Sequence, residues 1–285
     1  MTKKQKAILY IILSAFFFAL MNAFVRLSGD LPTVQKSFFR NFIAFLVAGI
    51  LLIKNRERNM FTKKDIPLLV IRSTMGTIGI LCNFYAVDHL LISDASMLNK
   101  MSPFFAIILS VIFLKEIPRL FQVLCVVLAF IGSLFIIKPG MDFSQTMPAV
   151  IGLIGGMGAG AAYTAVRALS KRGVKGAFIV FFFSGFSCLV TLPFILTGYT
   201  SMTVNQLLIL LFAGLSAAGG QFAITAAYSN APAKEISVFD YSQIIFAAGL
   251  GYFLFDQIPD VYSVVGYVII CSVSVAMFFY NQKSN

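Results

Sequence analysis

The chain has 285 residues, 59% of them hydrophobic and only 12% charged, with a mean hydropathy of +0.90. A soluble domain of this length must keep most of its surface polar, so this composition demands lipid as solvent. The net charge of +11 would raise nucleic acid as a partner for a soluble chain. In a membrane chain the positions of the charges carry the information instead.

Crossing the hydrocarbon core takes roughly 20 residues of helix. Apolar runs of that order fall near 6–28, 34–53, 66–87, 94–114, 118–137, 148–170, 175–197, 205–228, 235–255 and 261–280. The first follows Lys3, Lys4 and Lys6 and continues past Val25, too long for a secretory h-region, so we expect a retained span. The breaks carry turn chemistry: Gly29 to Pro32, Lys54 to Asp65, Lys115 to Pro118, Lys138 to Gly140, Lys171 to Gly173 and Asp256 to Pro259. Alternate loops are then assigned to alternate sides. One side collects Lys3, Lys4, Lys6, Lys54, Arg56, Arg58, Lys63, Lys64, Lys115, Arg119, Lys171, Arg172, Lys175, Lys234 and Lys283. The other collects only Lys36 and Lys138, with Asp30, Asp88, Asp142, Asp256 and Asp260. The Lys/Arg-rich side is the cytoplasmic one. The expectation is an all-α integral membrane protein of ten transmembrane helices in the bacterial cytoplasmic membrane, with both termini inside. Trp is absent and Phe numbers 31, so any interfacial aromatic belt is built from Tyr and Phe. Cys82, Cys125, Cys188 and Cys271 lie far apart inside apolar runs and read as packing thiols.

A shift of 141 residues superposes the two parts of the chain. Phe113 to Pro118 (FLKEIP) falls on Leu254 to Pro259 (LFDQIP), Val25-Arg26 on Val166-Arg167, Gly79 on Gly220, Ala86 on Ala227 and Ser96 on Ser237. Residues 1–140 and 141–285 thus read as two five-helix repeats, and an odd helix count inverts the second relative to the first. Inverted repeats mark alternating-access transporters with a site near the midplane. The ten spans, the five-plus-five duplication, Arg40 early in the second span and Leu114-Lys115-Glu116-Ile117-Pro118 after the fourth resemble the EamA family of the drug/metabolite transporter superfamily. The second repeat departs from that pattern at Asp256-Gln257. The resemblance implies a secondary transporter whose cavity is lined by spans one, three, four, six, eight and nine, with five and ten at the periphery.

Polar residues fall in stripes at helical spacing. The fourth span carries Ser96, Asn99, Lys100 and Pro103 on one face; their repeat mates in the ninth are Ser237, Asp240, Tyr241 and Ile244, with Gln243 beside them. The third carries Arg72, Gly76, Gly79 and Asn83, and the eighth Gly214, Ala218, Gln221, Thr225 and Tyr228. Asn22 of the first span matches Tyr163 of the sixth. Spans five and ten carry no interior charge. Gly152, Gly156 and Gly160 form a GxxxGxxxG stripe suited to close helix approach, either as fixed packing or as a rocking surface. Pro103 and Pro193 are candidate kinks.

The candidate substrate-binding residues are Asn22, Asn83, Ser96, Asn99, Lys100, Tyr163, Gln221, Thr225, Tyr241 and Gln243. Asp240 and Arg72 are candidates for coupling or for an internal salt bridge. For continuous helices rising 1.5 Å per residue, Asp240 and Arg72 both lie roughly 6–7 Å to the cytoplasmic side of their midpoints. Lys100 lies roughly 6 Å to the outer side. Arg72 is therefore expected to pair with Asp240, leaving Lys100 as the free cation for a substrate anion. Asp240 reads either as a proton carrier or as a fixed ionic partner. Arg26, Arg40 and Arg167 read as interface anchors or gate contacts.

Enzyme chemistry has no footing here: one His (His89), no metal-ligand spacing, no nucleophile elbow and no phosphate-binding loop. No repeated ring of like residues suggests a channel. We expect a monomer, with a dimer as the alternative, without cofactor or metal, acting on a small-molecule substrate within the bilayer and driven by a gradient, with proton coupling one option. An excess of interior cations favours an amino acid-like zwitterion or organic anion. An exporter of cationic or amphipathic drugs and a lipid flippase are the alternatives.

Overall fold

The computed structural model describes residues 3–55, 61–102, 104–105, 108, 120–138, 143–231 and 233–283. All regular structure among these residues is helical. The α-helices are α1 (Lys3–Leu27), α2 (Thr33–Lys54), α3 (Ile66–His89), α4 (Ile92–Asn99), α5 (Leu120–Ile137), α6 (Phe143–Lys171), α7 (Gly176–Gly198), α8 (Val204–Asn230), α9 (Ala233–Asp240), α10 (Ser242–Phe255) and α11 (Val261–Lys283). Among the described residues, eight stretches are long and apolar enough to cross a membrane, including Val238–Phe255, which runs through the break between α9 and α10. The expected fifth span overlaps α5, Leu120–Ile137. Pro103, most of the second part of the fourth expected span and the Leu114 to Pro118 hinge lie outside the described residues.

Local chemistry sets the helix ends. Gly29 and Gly173 take positive φ just beyond α1 and α6, where a side chain would be strained. Thr203 caps α8 by accepting from the Gln206 N–H at 3.2 Å, while Gln206 Oε1 accepts from the Thr203 N–H at 3.0 Å. Asp256 and Gln257 both serve helix ends. Asp256 adopts the left-handed conformation that stops α10 (φ 52°), and Gln257 Oε1 accepts the Ile92 N–H at 3.1 Å, satisfying the start of α4.

Apolar side chains cover the outside, with Ile53, Leu120, Leu196, Ile245 and Phe253 all largely exposed. That arrangement fits a lipid solvent and would be costly in water. Inside, the four most extensive packing pairs each join a helix from residues 1–140 to one from residues 141–285: α1 with α8, α3 with α6, α2 with α7 and α5 with α11. Glycine permits the closest crossings. A Cβ at Gly156 or Gly160 would lie 2.5 Å from the carbonyl oxygen of Leu98 or Ser102, so the GxxxGxxxG stripe receives the chain of α4 backbone to backbone.

The fourth and ninth expected spans are not continuous helices. Turns interrupt the fourth at Lys100-Met101 and the ninth at Tyr241, and Lys100 and Tyr241 are 141 residues apart. Tyr241 donates its hydroxyl to the Lys100 carbonyl oxygen at 2.9 Å, so the side chain at one break satisfies a carbonyl at the other.

Candidate functional site

A cavity of ≈ 60 Å³ lies where α1, α2, α3, α4, α6, α7, α8 and α10 converge. Its polar lining is Asn22, Arg40, Arg72, Asn83, Asn99, Tyr163, Gln221 and Gln243, and Phe183 forms an aromatic wall. The stripe on α3 explains the placement of Arg72. Gly76 follows one turn later, and a Cβ there would collide with Arg72 Nη1 and lie 2.9 Å from Phe183. Its absence lets the guanidinium lie over the Phe183 ring, 3.6 Å from the centroid. Arg72 Nη2 donates to Gln221 Oε1 at 3.0 Å, while its Nε and Nη1 are buried without partners.

Arg40 reaches the same ring, its guanidinium carbon 5.8 Å from the centroid. It donates through Nη1 to Asn41 Oδ1 and leaves Nε buried and unpartnered. Asn41 in turn donates to Ser187 Oγ at 2.8 Å, tying α2 to α7. On the opposite wall Asn83 donates to Asn22 Oδ1 at 3.1 Å, and Asn22 to Ser96 Oγ at 3.4 Å. Asn83 Oδ1 and Gln243 Oε1 are buried acceptors without donors.

The expected pairing of Arg72 with Asp240 is not what the structure contains. Lys100 Nζ lies 2.7 Å from Asp240 Oδ1, both side chains almost fully buried. The contact is ionic in distance, although its angle falls short of a hydrogen bond. Lys100 is thus a paired cation rather than the free one, and among the described residues Arg72 has no carboxylate partner. The depth estimate assumed continuous helices, and the turns at Lys100-Met101 and Tyr241 carry the two side chains to a common level.

Seven of the sequence candidates line the cavity: Asn22, Arg72, Asn83, Asn99, Tyr163, Gln221 and Gln243. Ser96 stands one hydrogen bond behind Asn22. Lys100, Asp240 and Tyr241 form the bridge between the helix breaks rather than the lining. Thr225 is buried away from the lining, close to Gly176. Spans two and seven, expected outside the cavity, supply Arg40 and Phe183. Arg40 is 1% exposed and so is no interface anchor. Arg26 donates to the carbonyls of Val87 at 2.7 Å and Leu90 at 2.5 Å, capping the end of α3; Arg167 donates to the Tyr228 carbonyl at 3.4 Å near the end of α8. Donor and acceptor of the two caps are offset by the same 141 residues.

Asp240 is not alone as a buried acid. Asp94, 6% exposed in the first turn of α4, accepts from the Tyr267 hydroxyl of α11 at 2.5 Å. Outside the spans, Lys138 Nζ lies 2.8 Å from Asp260 Oδ2. Partial burial pushes the Asp260 carboxyl up, but Lys138 and the Ser263 N–H outweigh it and hold the group below the usual carboxylate range. Among the described residues no group of His, Cys, Asp and Glu could hold a metal ion.

The model of the EamA-like transporter family matches residues 5–138 and 147–279. The chain is 34% identical over 276 residues to the pseudopaline exporter CntI of Pseudomonas aeruginosa, covering 96% of each protein. It is 26% identical over 280 residues to human solute carrier family 35 member G1, covering 93% of this chain and 77% of that one. A solved crystal structure superposes with a TM-score of 0.71 at 11% identity, covering 99% of each chain, which shows the fold alone. The polar cavity enclosed by apolar helices and the match along nearly the whole chain lead to one conclusion: this protein belongs to the EamA-like transporter family and is a multi-pass membrane transporter.

Proposed function

We propose that the protein is a secondary transporter that exports a small, polar, carboxylate-bearing metabolite across the cytoplasmic membrane by alternating access. The observation that carries this reading is the cavity itself, in which Arg40 and Arg72 present buried N–H groups without partners. A guanidinium keeps its charge in proteins, so its counter-charge must come from elsewhere. The unpartnered acceptors Asn83 Oδ1 and Gln243 Oε1 suit the N–H or O–H of an amino acid-like metabolite. A purely cationic drug would need a free carboxylate, and Asp240 already holds Lys100. The cavity has room for only a few waters, so loading requires it to widen. Outward direction is taken from the P. aeruginosa relative, whose name is that of an exporter.

Several observations favour two inverted five-helix units, 1–140 and 141–285. Exchanging helices 141 residues apart turns the packing of α1 on α8 into that of α6 on α3, and leaves α2 with α7 and α5 with α11 unchanged. Arg26 and Arg167 cap matching helix ends. The family model matches one stretch in each unit. The site would then sit between units that rock about it, with both termini cytoplasmic. Of the two roles open to Asp240, its contact with Lys100 favours the fixed ionic partner.

Counterflow of a labelled metabolite panel in proteoliposomes, with and without a pH gradient, tests the reading. We expect competition by amino acids or organic acids. Uptake indifferent to all of these and inhibited by organic cations would overturn it. Proton flux measured on Asp240→Asn separates a proton carrier, which would lose its flux, from a fixed partner.

A further inference from the structure

We propose that the cavity is built for a dianion, a metabolite with two carboxylates a few carbons apart, each received by one of Arg40 and Arg72. The proposal rests on the cavity being the substrate site, as argued above, and narrows the class of ligand it takes. The argument begins with charge. Among the described residues, the cavity and the bridge beside it hold the cations Arg40, Arg72 and Lys100 against the carboxylate of Asp240. Lys100 and Asp240 neutralise each other, leaving two guanidiniums. Among the described residues neither makes an ion pair.

Both are nearly inaccessible to water, Arg40 at 1% and Arg72 at 2% exposure. A buried charge is costly unless it is paired and hydrogen-bonded, and Arg cannot escape by losing a proton. A monocarboxylate would compensate one cation and leave the other. A zwitterion with one carboxylate would add a further positive charge with no acid free to meet it. Two carboxylates compensate both, and a hydroxyl between them would find Asn83 Oδ1 and Gln243 Oε1.

Spacing limits the length of the ligand. Both guanidinium carbons lie over the same Phe183 ring, 5.8 and 3.6 Å from its centroid, so they are no farther apart than those two distances together. A guanidinium and a carboxylate meet through N–H···O bonds of about 2.7–2.9 Å. The two carboxylates therefore belong to one short chain rather than to opposite ends of a long one. The free donors, Arg40 Nε with Arg72 Nε and Nη1, are distributed over both groups, as two acceptors would require.

Isosteric pairs differing by one negative charge provide the test. The full chain in lipid nanodiscs is titrated with succinate and its monoamide, and with glutarate and its monoamide. In each pair the dicarboxylate is expected to bind about tenfold more tightly or better, the ratio one charge-assisted hydrogen-bonded contact supports. Arg40→Gln and Arg72→Gln should each bring that ratio towards one, while Arg40→Lys and Arg72→Lys keep part of it. Equal binding within the pairs by the unaltered protein, or a ratio unchanged in both Gln variants, overturns the proposal. The first comparison needs no variant, so a misfolded mutant cannot decide the outcome. Equal binding of monoanions and dianions refutes only the dianion. Binding of organic cations with no anion bound refutes the transport reading as well.

Discussion

Two groups of buried cations lie side by side in this protein and differ in one respect. At the helix breaks, Lys100 meets Asp240 at 2.7 Å, and the Tyr241 hydroxyl closes the Lys100 carbonyl. In the cavity next to it, Arg40 and Arg72 share an aromatic ring and have no carboxylate among the described residues. The first group is complete without a ligand and the second is not. A paired charge of this kind serves the fold, because removing either partner leaves the other stranded in low dielectric. An unpaired charge costs stability and is retained where something else supplies its counter-ion.

That contrast can be broken most forcefully at the bridge. Asp240→Asn should cost about 3–5 kcal/mol of stability by stranding Lys100, read as a lowered midpoint in thermal circular dichroism. Lys100→Met combined with Asp240→Leu should recover most of the loss, since a buried pair replaced by apolar groups is often neutral or better. An Asp240→Asn protein as stable as the parent would mean that the bridge is not structural. Gly76→Ala comes next. Its methyl would displace Arg72 from Phe183 and cost about 1–3 kcal/mol by overpacking, with weaker substrate binding as a second readout.

Arg40→Gln and Arg72→Gln should show the opposite pattern to Asp240→Asn. Substrate affinity should fall about tenfold, near 1.4 kcal/mol, while the thermal midpoint holds or rises because an uncompensated buried charge has gone. A drop in midpoint as large as that of Asp240→Asn would erase the distinction between the groups. The smallest effect belongs to Lys138 and Asp260, a half-exposed pair outside the spans. Because the folded carboxyl of Asp260 is held below its usual range, the contribution is present at neutral pH and lost as pH falls through that lowered value. Asp260→Asn should remove a small acid-side step from a plot of thermal midpoint against pH, and a step of unchanged size would assign it to another carboxylate.

Much of the cavity was legible before any tertiary information. Asn22, Asn83, Asn99, Gln221 and Gln243 stand out because a polar side chain in an apolar span is costly and needs a common interior to face. Helical spacing then groups them into stripes. Phe183 carries no such signal, being one of 31 phenylalanines in a chain where most face lipid or packing. Arg40 was visible as a charge and as a family feature, but nothing in its own span showed that it turns inward. Asp94 sits at the edge of its expected span, where a carboxylate reads as a loop residue; its burial comes from Tyr267, 173 positions away.

The family came from a resemblance carried by the span pattern, Arg40 and the Leu114 to Pro118 stretch, while length and hydropathy by themselves determined the helical membrane class and the approximate position of most spans. These properties are local or periodic, and lipid imposes them on each segment independently. The tertiary structure alone decided which charges meet. Lys100 and Asp240 come together because both helices break beside them, and the satisfaction of one break by the other across 141 residues is a long-range event that no single segment encodes. With Asp240 engaged, Arg40 and Arg72 are left to whatever anion the cavity receives.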